Sequence, residues 1–125
     1  MDAKQILIVD DDAITRYLIQ GFLKGQSNYN VQAVESGRHC LDYLEHNDVD
    51  LIISDVEMDN IDGLQLSKNL LEKKDTSNIP VILSSIRDRA EIAKQSKCYS
   101  NVKKVVQKPY DRNELLSDLK ENLDL

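Results

Sequence analysis

The sequence lacks any long apolar run, any segment of low complexity and any closely spaced pair of cysteines. No stretch approaches the roughly 18 apolar residues that a membrane helix needs, so we expect no membrane span. The two cysteines, Cys40 and Cys98, are far apart in the chain, which predicts two free thiols in a reducing compartment. The first residues do not resemble a secretory leader. Together these absences predict a cytoplasmic protein.

An excess of positive charge is also missing. The formal net charge of -6 argues against direct nucleic-acid binding by the surface as a whole, because such binding needs a basic field. The exception is the basic segment, residues 87–112, which holds eight Lys and Arg against three Asp and Glu. Two interpretations stay open for it, a solvated face and a docking patch for an acidic partner.

Short apolar runs alternate with amphipathic stretches five times along the 125 residues. This length suits one domain, and the alternation predicts a single α/β unit over residues 1–125 with helices on both faces of a parallel sheet. The predicted strands are residues 5–9, 30–34, 50–54, 79–84 and 103–106. The predicted helices are residues 13–25, 37–46, 62–73, 88–96 and 111–122.

Acidic residues follow two of the predicted strands. Asp10, Asp11 and Asp12 come after the first apolar run, and Asp55 comes after the third. Continuous apolar runs are typical of parallel strands buried on both faces, and their carboxyl ends form the edge where open α/β sheets bind ligands. Carboxylates in one pocket repel one another and stay ionised together only beside a cation. The pattern predicts a site for a hard divalent ion, with Asp12 more suited to capping the first helix.

The fourth and fifth strands bring a hydroxyl and an amine to the same edge. The fourth apolar run leads into Ser84 and Ser85, and the fifth leads into Lys108. This set suits phosphoryl transfer onto a carboxylate. In that reaction an Asp attacks phosphorus, Mg²⁺ bridges the enzyme and phosphoryl oxygens, and a Lys neutralises the remaining charge.

In combination, these motifs resemble the receiver domains of bacterial response regulators, including chemotaxis regulators, over residues 5–122. The resemblance rests on Ile-Val-Asp-Asp at 8–11, on Ser54-Asp55 followed by Met58, Asp62 and Gly63, on Ser85, and on Lys108-Pro109-Tyr110. It implies a flavodoxin-like, doubly wound sheet of five parallel strands in the order 2-1-3-4-5, with five helices. It also implies a phosphoacceptor in a two-component system or phosphorelay, not a metabolic enzyme.

The resemblance further implies roles for individual residues. Asp55 is the implied phosphorylation site. Mg²⁺ would be bound by Asp11, Asp55 and the backbone carbonyl of Glu57, while Asp10 would hold a metal-bound water. The groups implied to hold the phosphoryl group are Ser85 and Lys108. The new charge would then bias a surface formed by the fourth helix, fifth strand and fifth helix.

The implied phosphodonor is a sensor histidine kinase or a histidine phosphotransfer protein. Such a partner is expected to dock near the pocket on the first helix, where Ile14, Leu18 and Phe22 recur at i, i+4 and i+8. We also expect at least two of these three to pack on the sheet instead. The implied output is a downstream protein target or a covalently linked effector domain.

Three positions depart from the common receiver pattern. Val105 replaces an aromatic residue, so conformational output must use another route or be weak. Ile86 replaces a small residue and is expected to crowd the mouth of the pocket, and Asp59 replaces Pro, which predicts a more mobile loop. Glu57 and Arg87 lie two residues beyond the phosphoacceptor and the hydroxyl. We expect them either to form an ion pair over the phosphoryl group or to be an exposed pair without a kinetic role.

Two other functions stay open. A pseudo-receiver would keep the fold for binding without phosphorylation, although all five site positions are filled here. An Asp-nucleophile, Mg²⁺-dependent phosphatase of the haloacid-dehalogenase type would use an acid on the first strand and further carboxylates late in the chain. Here the late residue is Lys108 and the second acid lies mid-chain.

Overall fold

The computed structural model describes residues 3–123, so the ends of the predicted domain, residues 1, 2, 124 and 125, lie outside the described part. Strands and helices alternate as predicted, and their bounds differ from the predicted ones by at most two residues. The elements are β1 (Lys4–Val9), α1 (Ala13–Leu23), β2 (Tyr29–Val34), α2 (Gly37–Leu44), β3 (Leu51–Asp55), α3 (Gly63–Leu71), β4 (Val81–Ser85), α4 (Arg89–Gln95), β5 (Val102–Gln107) and α5 (Arg112–Leu123). None of the helices within residues 3–123 has the length and apolar character needed to cross a membrane.

All five strands are parallel and lie in the order β2-β1-β3-β4-β5. This order confirms the doubly wound, flavodoxin-like sheet. The chain moves outward from β1 to β2 and then returns to the other side of β1 with β3. The carboxyl ends of β1 and β3 are therefore neighbours at the point where the strand order reverses, which is where such sheets bind ligands.

The sheet separates two hydrophobic cores because successive residues of a strand face opposite sides. Ile6 and Ile8 of β1 face the core that α1 and α5 cover. Leu7 and Val9 face the core beneath α2, α3 and α4. The predicted stripe on α5 is confirmed by three buried leucines, Leu115, Leu119 and Leu123. The three central strands are buried almost throughout, as their continuous apolar runs predicted.

Side-chain caps explain why the helices begin where they do. Asp12 accepts a hydrogen bond from the backbone N–H of Ile14, and Ser36 accepts one from His39, which confirms both predicted caps. Asp62 forms a reciprocal capping box with Gln65. These capping residues have extended backbones and satisfy the free N–H groups of the first turn. The predicted start of α3 at Asp62 is therefore one residue early.

Two sequence-based expectations about local structure are wrong in detail. β4 begins at Val81 because Pro80 has no N–H to donate to the sheet, and Asp55 and Ser85 are the last residues of β3 and β4 instead of the residues after these strands. Their position at the carboxyl edge is unaffected.

The expectation that the α1 stripe packs mainly on the sheet is also wrong. Ile14 and Leu18 are 78% and 42% exposed, and only Phe22 is partly buried against the core. The buried residues of α1 are instead Ile19 and Leu23. The exposed apolar side chains of α1 are therefore available to a partner.

Candidate functional site

Three carboxylates meet at the carboxyl ends of β1 and β3. β1 and β3 are paired through Val9 and Ser54, so the residues that follow these two are neighbours. One carboxylate oxygen from each of Asp10, Asp11 and Asp55 lies within 4.8 Å of the others. Asp10 and Asp55 are buried, at 1% and 5% exposure, whereas Asp11 is exposed. The structure thus places the three acids that the sequence singled out at one edge of the sheet.

Asp10 is held by hydrogen bonds on both carboxylate oxygens. Its Oδ1 accepts from the backbone N–H of Asp12 at 2.9 Å, and its Oδ2 accepts from Lys108 Nζ at 3.0 Å. Its backbone carbonyl accepts from Arg16 Nη1 at 2.7 Å. Sequence reasoning missed Arg16, although an arginine in the first turn after a capping acid is placed to reach the strand that precedes the helix.

Lys108 contacts two of the three acids. Its Nζ lies 3.0 Å from Asp10 Oδ2 and 3.2 Å from Asp55 Oδ1, and its side chain is only 16% exposed. Its backbone N–H donates to the carbonyl of Ser85, and the Lys108-Pro109 peptide bond is cis. Burial by itself lowers the pKa of Lys108, but the hydrogen bond to Asp10 and the negative charges of Asp55 and Asp10 outweigh it and raise the pKa. Lys108 is therefore a protonated ammonium at neutral pH.

One ammonium does not neutralise the pocket. Burial, and next the charge of Asp10, raise the pKa of Asp55 from 3.8 to about 6, although Lys108 acts in the opposite direction. Asp55 Oδ1 is buried and, despite its closeness to Lys108, has no hydrogen-bond partner of good geometry among residues 3–123. Three carboxylates that share one ammonium form an all-oxygen set with excess negative charge, which fits a hard divalent cation.

Glu57 and Ser85 form a second group beside the acids. Ser85 Oγ donates to Glu57 Oε2 at 2.7 Å, and the backbone N–H of Ile86 donates to Oε1 at 3.2 Å. Arg87 Nε donates to Oε2 at 3.0 Å, so the predicted ion pair is present. Partial burial raises the pKa of Glu57, but the hydrogen bonds from Ser85 and Arg87 outweigh it and lower the pKa. The sequence predicted the ion pair but not the bond to Ser85.

The loop after β3 is held against the end of that strand by Gly63. Its N–H donates to the carbonyl of Val56 at 3.0 Å. A Cβ added to Gly63 would lie 2.4 Å from the carbonyl oxygen of Asp55, which only glycine avoids. Within the loop, Asn60 has a φ of 67°. The greater mobility expected from Asp59 stays a prediction.

The two other unusual positions differ in environment. Val105 is buried in the core beneath α2, α3 and α4, so it belongs to the packing of the sheet. Ile86 is 72% exposed directly after Ser85, and its effect on access to the pocket stays a prediction. Beneath the site, the hydroxyl of Tyr110 donates to Ser84, which fixes the residues after Lys108 against β4.

The response regulator receiver domain family matches residues 6–120 of the chain. The chain belongs to this family. The chain is also similar to the heme response regulator HssR of Staphylococcus epidermidis, with 36% identity over 114 residues that cover 91% of this chain and 49% of HssR. Thus the receiver domain spans about half the length of this curated relative.

Solved structures agree with the fold. A signal receiver domain of a signal transduction histidine kinase from Syntrophus aciditrophicus shares 31% identity with a TM-score of 0.87, covering 98% of this receiver domain and 91% of that chain. A response regulator structure from Chloroflexus aurantiacus shares 25% identity with a TM-score of 0.91. The match covers 99% of this receiver domain and 100% of that chain.

Membership in the family establishes a coarse function. Receiver domains are signalling modules that bind Mg²⁺ at an acidic pocket and interact with histidine kinases or phosphotransfer proteins. A phosphoacceptor role in two-component signalling fits this chain, and the cluster of Asp10, Asp11 and Asp55 is such an acidic pocket. The pseudo-receiver and phosphatase alternatives are not favoured.

Proposed function

We propose that residues 1–125 form one receiver domain that accepts a phosphoryl group on Asp55 from a phosphohistidine and later loses it by hydrolysis. One observation carries the proposal. The carboxylates of Asp10, Asp11 and Asp55 converge within 4.8 Å, and the ammonium of Lys108 contacts two of them. This arrangement gives a nucleophile, an acidic pocket for a cation and a fixed positive charge at one edge of the sheet.

Asp11, Asp55 and the backbone carbonyl of Glu57 would hold Mg²⁺ directly, and Asp10 would hold it through a water. The three carboxylates around the single ammonium of Lys108 and the raised pKa of Asp55 support the assignment, since both describe negative charge that the protein compensates only in part. When bound, Mg²⁺ supplies positive charge that lets an anionic carboxylate approach an anionic phosphoryl group.

The residues of the chain each act on the transferred group. An oxygen of Asp55 forms the new bond to phosphorus while the phosphorus–nitrogen bond of the donor histidine breaks, and the electron pair leaves with the imidazole. Lys108 is already protonated and 3.2 Å from Asp55 Oδ1, so it balances part of the added charge. Ser85 donates a hydrogen bond to a phosphoryl oxygen, and this new bond is the event that signals the modified state.

Intact mass measured after treatment with acetyl phosphate and Mg²⁺ tests the proposal. We expect wild type to gain one phosphoryl group, Asp55→Asn to gain none, and both to gain none in EDTA. Asp59→Asn is the matched control because it removes an exposed acid from the same loop, and it should behave like wild type. Modification that persists in Asp55→Asn would contradict the assignment. A lack of modification would favour the pseudo-receiver, and release of phosphate from many esters would favour the phosphatase.

The phosphodonor, a sensor histidine kinase or histidine phosphotransfer protein, is proposed to dock on α1. Ile14, Tyr17 and Leu18 present exposed apolar surface on this helix, which begins after its cap Asp12 and so directly follows Asp10 and Asp11 of the pocket. We expect Ile14→Ala combined with Leu18→Ala to slow transfer from the protein donor while leaving phosphorylation by acetyl phosphate unchanged. Gln20→Ala, an exposed polar change on the same helix, serves as the control. Equal slowing with both donors would show damage to the pocket instead.

The output surface is proposed to be the face formed by α4, β5 and α5. Two ion pairs cross it, Arg89 with Glu114 at 3.2 Å and Lys104 with Asp118 at 3.4 Å. The basic segment supplies most of its charge, so an acidic downstream protein or a linked effector domain is the expected partner. The cytoplasmic location expected from the sequence stays a prediction.

A further inference from the structure

The hydroxyl of Ser85 is already engaged. A serine hydroxyl has a single proton to donate, and here Ser85 Oγ donates it to Glu57 Oε2 at 2.7 Å. The same oxygen accepts from the backbone N–H of Arg87 at 2.9 Å. Ser85 is fully buried, so exchange of this partner for bulk water is restricted. A phosphoryl oxygen on Asp55 accepts this hydrogen bond only if Glu57 no longer accepts it.

The donors around the Glu57 carboxylate form an anion site. The hydroxyl of Ser85, the backbone N–H of Ile86 and the guanidinium of Arg87 all donate to it. Hydroxyls, backbone amides and guanidinium groups are also the donors that proteins use to bind phosphoryl oxygens. Glu57 lies two residues beyond Asp55 in the chain. Its carboxylate is therefore held beside the position where a phosphoryl group on Asp55 would be formed.

Arg87 holds Glu57 in this position from the other side. Its Nε bonds Glu57 Oε2 at 3.0 Å, and its Nη1 lies 3.8 Å from Glu91 Oε1 on α4. The ion pair is partly exposed, whereas the bond to Ser85 is formed by a buried hydroxyl. Of the two partners, Ser85 is the one for which Glu57 and a phosphoryl group would compete.

We propose that Glu57 is an internal competitor of the phosphoryl group. In the unphosphorylated protein its carboxylate accepts hydrogen bonds from Ser85 Oγ and from the amide of Ile86. When Asp55 is phosphorylated, a phosphoryl oxygen replaces the Glu57 carboxylate as the acceptor for Ser85. The inference rests on the proposed function. It makes Glu57 a positioning residue that sets how readily Ser85 forms a hydrogen bond with a phosphoryl group on Asp55.

Binding of beryllium fluoride tests the inference, because beryllium becomes tetrahedral when a carboxylate oxygen coordinates it and the adduct mimics a phosphoryl group on that carboxylate. The affinity is measured at saturating Mg²⁺ through the amide resonances of Ile86 and Arg87, and the Mg²⁺ affinity of each variant is measured separately. We expect Glu57→Ala to bind the anion about tenfold more tightly than wild type, because one charge-assisted hydrogen bond no longer has to be broken. Glu57→Gln, which keeps the shape but not the charge, should fall between them.

Two further variants separate competition at Ser85 from a general change in charge. Glu91→Ala removes a carboxylate that approaches Arg87 but is not bonded to Ser85, and it should leave the affinity within about twofold of wild type. In a Ser85→Ala background, Glu57→Ala should give no gain, since there is no hydroxyl to compete for.

The outcomes separate the inference from the function on which it rests. Equal affinities of wild type and Glu57→Ala would overturn the inference and leave the proposed function standing. A gain that persists without the Ser85 hydroxyl, or that Glu91→Ala reproduces, would overturn it as well. Failure of every variant and of wild type to bind the anion would instead overturn the proposed function together with the inference.

Discussion

Neutralising Asp55 should stabilise the folded protein when Mg²⁺ is absent. Asp55 is buried beside Asp10, and its pKa rises from 3.8 to about 6 on folding. Each pKa unit corresponds to about 1.4 kcal/mol, so ionised Asp55 lowers the free energy of unfolding by up to about 3 kcal/mol. Asp55→Asn keeps the shape of the side chain without the charge, and Lys108 keeps its bond to Asp10. We expect the variant to be about 1–3 kcal/mol more stable at pH 7.5 in EDTA.

The sign of the effect fixes its pH dependence. Because the folded-state pKa lies above the unfolded one, the native state binds more protons than the unfolded chain between about pH 4 and pH 6. The free energy of unfolding of wild type therefore falls as pH rises through this window. Above it, Asp55 causes no further decrease. The difference between variant and wild type should be nearly absent at pH 4 and complete at pH 7.5.

Urea denaturation followed by far-ultraviolet circular dichroism measures the effect, since the chain has no tryptophan to report by fluorescence. Asp59→Asn, on the exposed loop after β3, should change stability by less than about 0.5 kcal/mol. Mg²⁺ should stabilise wild type by mass action and have less effect on Asp55→Asn. A variant no more stable than wild type at pH 7.5, or a difference of the same size at pH 4, would refute the reasoning.

Four further outcomes are expected. Gly63→Ala should destabilise the protein by about 1–3 kcal/mol and weaken Mg²⁺ binding, because its Cβ would meet the Asp55 carbonyl. Gly21 lies on α1 with open space around it, so Gly21→Ala should stabilise the protein by up to about 1 kcal/mol. Urea denaturation of both glycine variants measures the two changes in stability. Arg87→Ala should shorten the lifetime of the phosphorylated protein, measured by mass, by exposing the acyl phosphate to water, and an unchanged lifetime would rule this out. Charge reversal of Lys103 and Lys104 should weaken binding of an acidic downstream partner most at low salt, and an unaffected affinity would remove the docking-patch hypothesis.

The sheet and the acidic pocket could be predicted from the sequence because they follow from short-range patterns. Apolar runs that end on Asp10 and Asp55 determine both the buried strands and the edge at which the acids lie. The spacing of two residues past Asp55 and past Ser85 was sufficient to anticipate the pair formed by Glu57 and Arg87.

Other features depend on three-dimensional packing that periodicity does not determine. Apolar residues occupy more than one side of α1, and the sheet covers the side of Ile19 while Ile14 stays exposed. The bond between Glu57 and Ser85 depends on rotamers of side chains from different strands. Asp118 lies buried opposite Lys104 on a helix whose pattern gives no sign of it, and burial raises the pKa of its carboxyl while Lys104 opposes the rise.

The connection between β4 and α4 consists only of residues 86–88. Every residue in it forms a hydrogen bond. The amide of Ile86 donates to Glu57, the amide of Arg87 donates to Ser85, and the carboxylate of Asp88 accepts from the amide of Ala90 in the first turn of α4. Three residues reach about 10 Å at full extension, so this link is short. We therefore expect a shift of the two amides to move α4 through the backbone, by a route that does not require the aromatic ring that Val105 replaces.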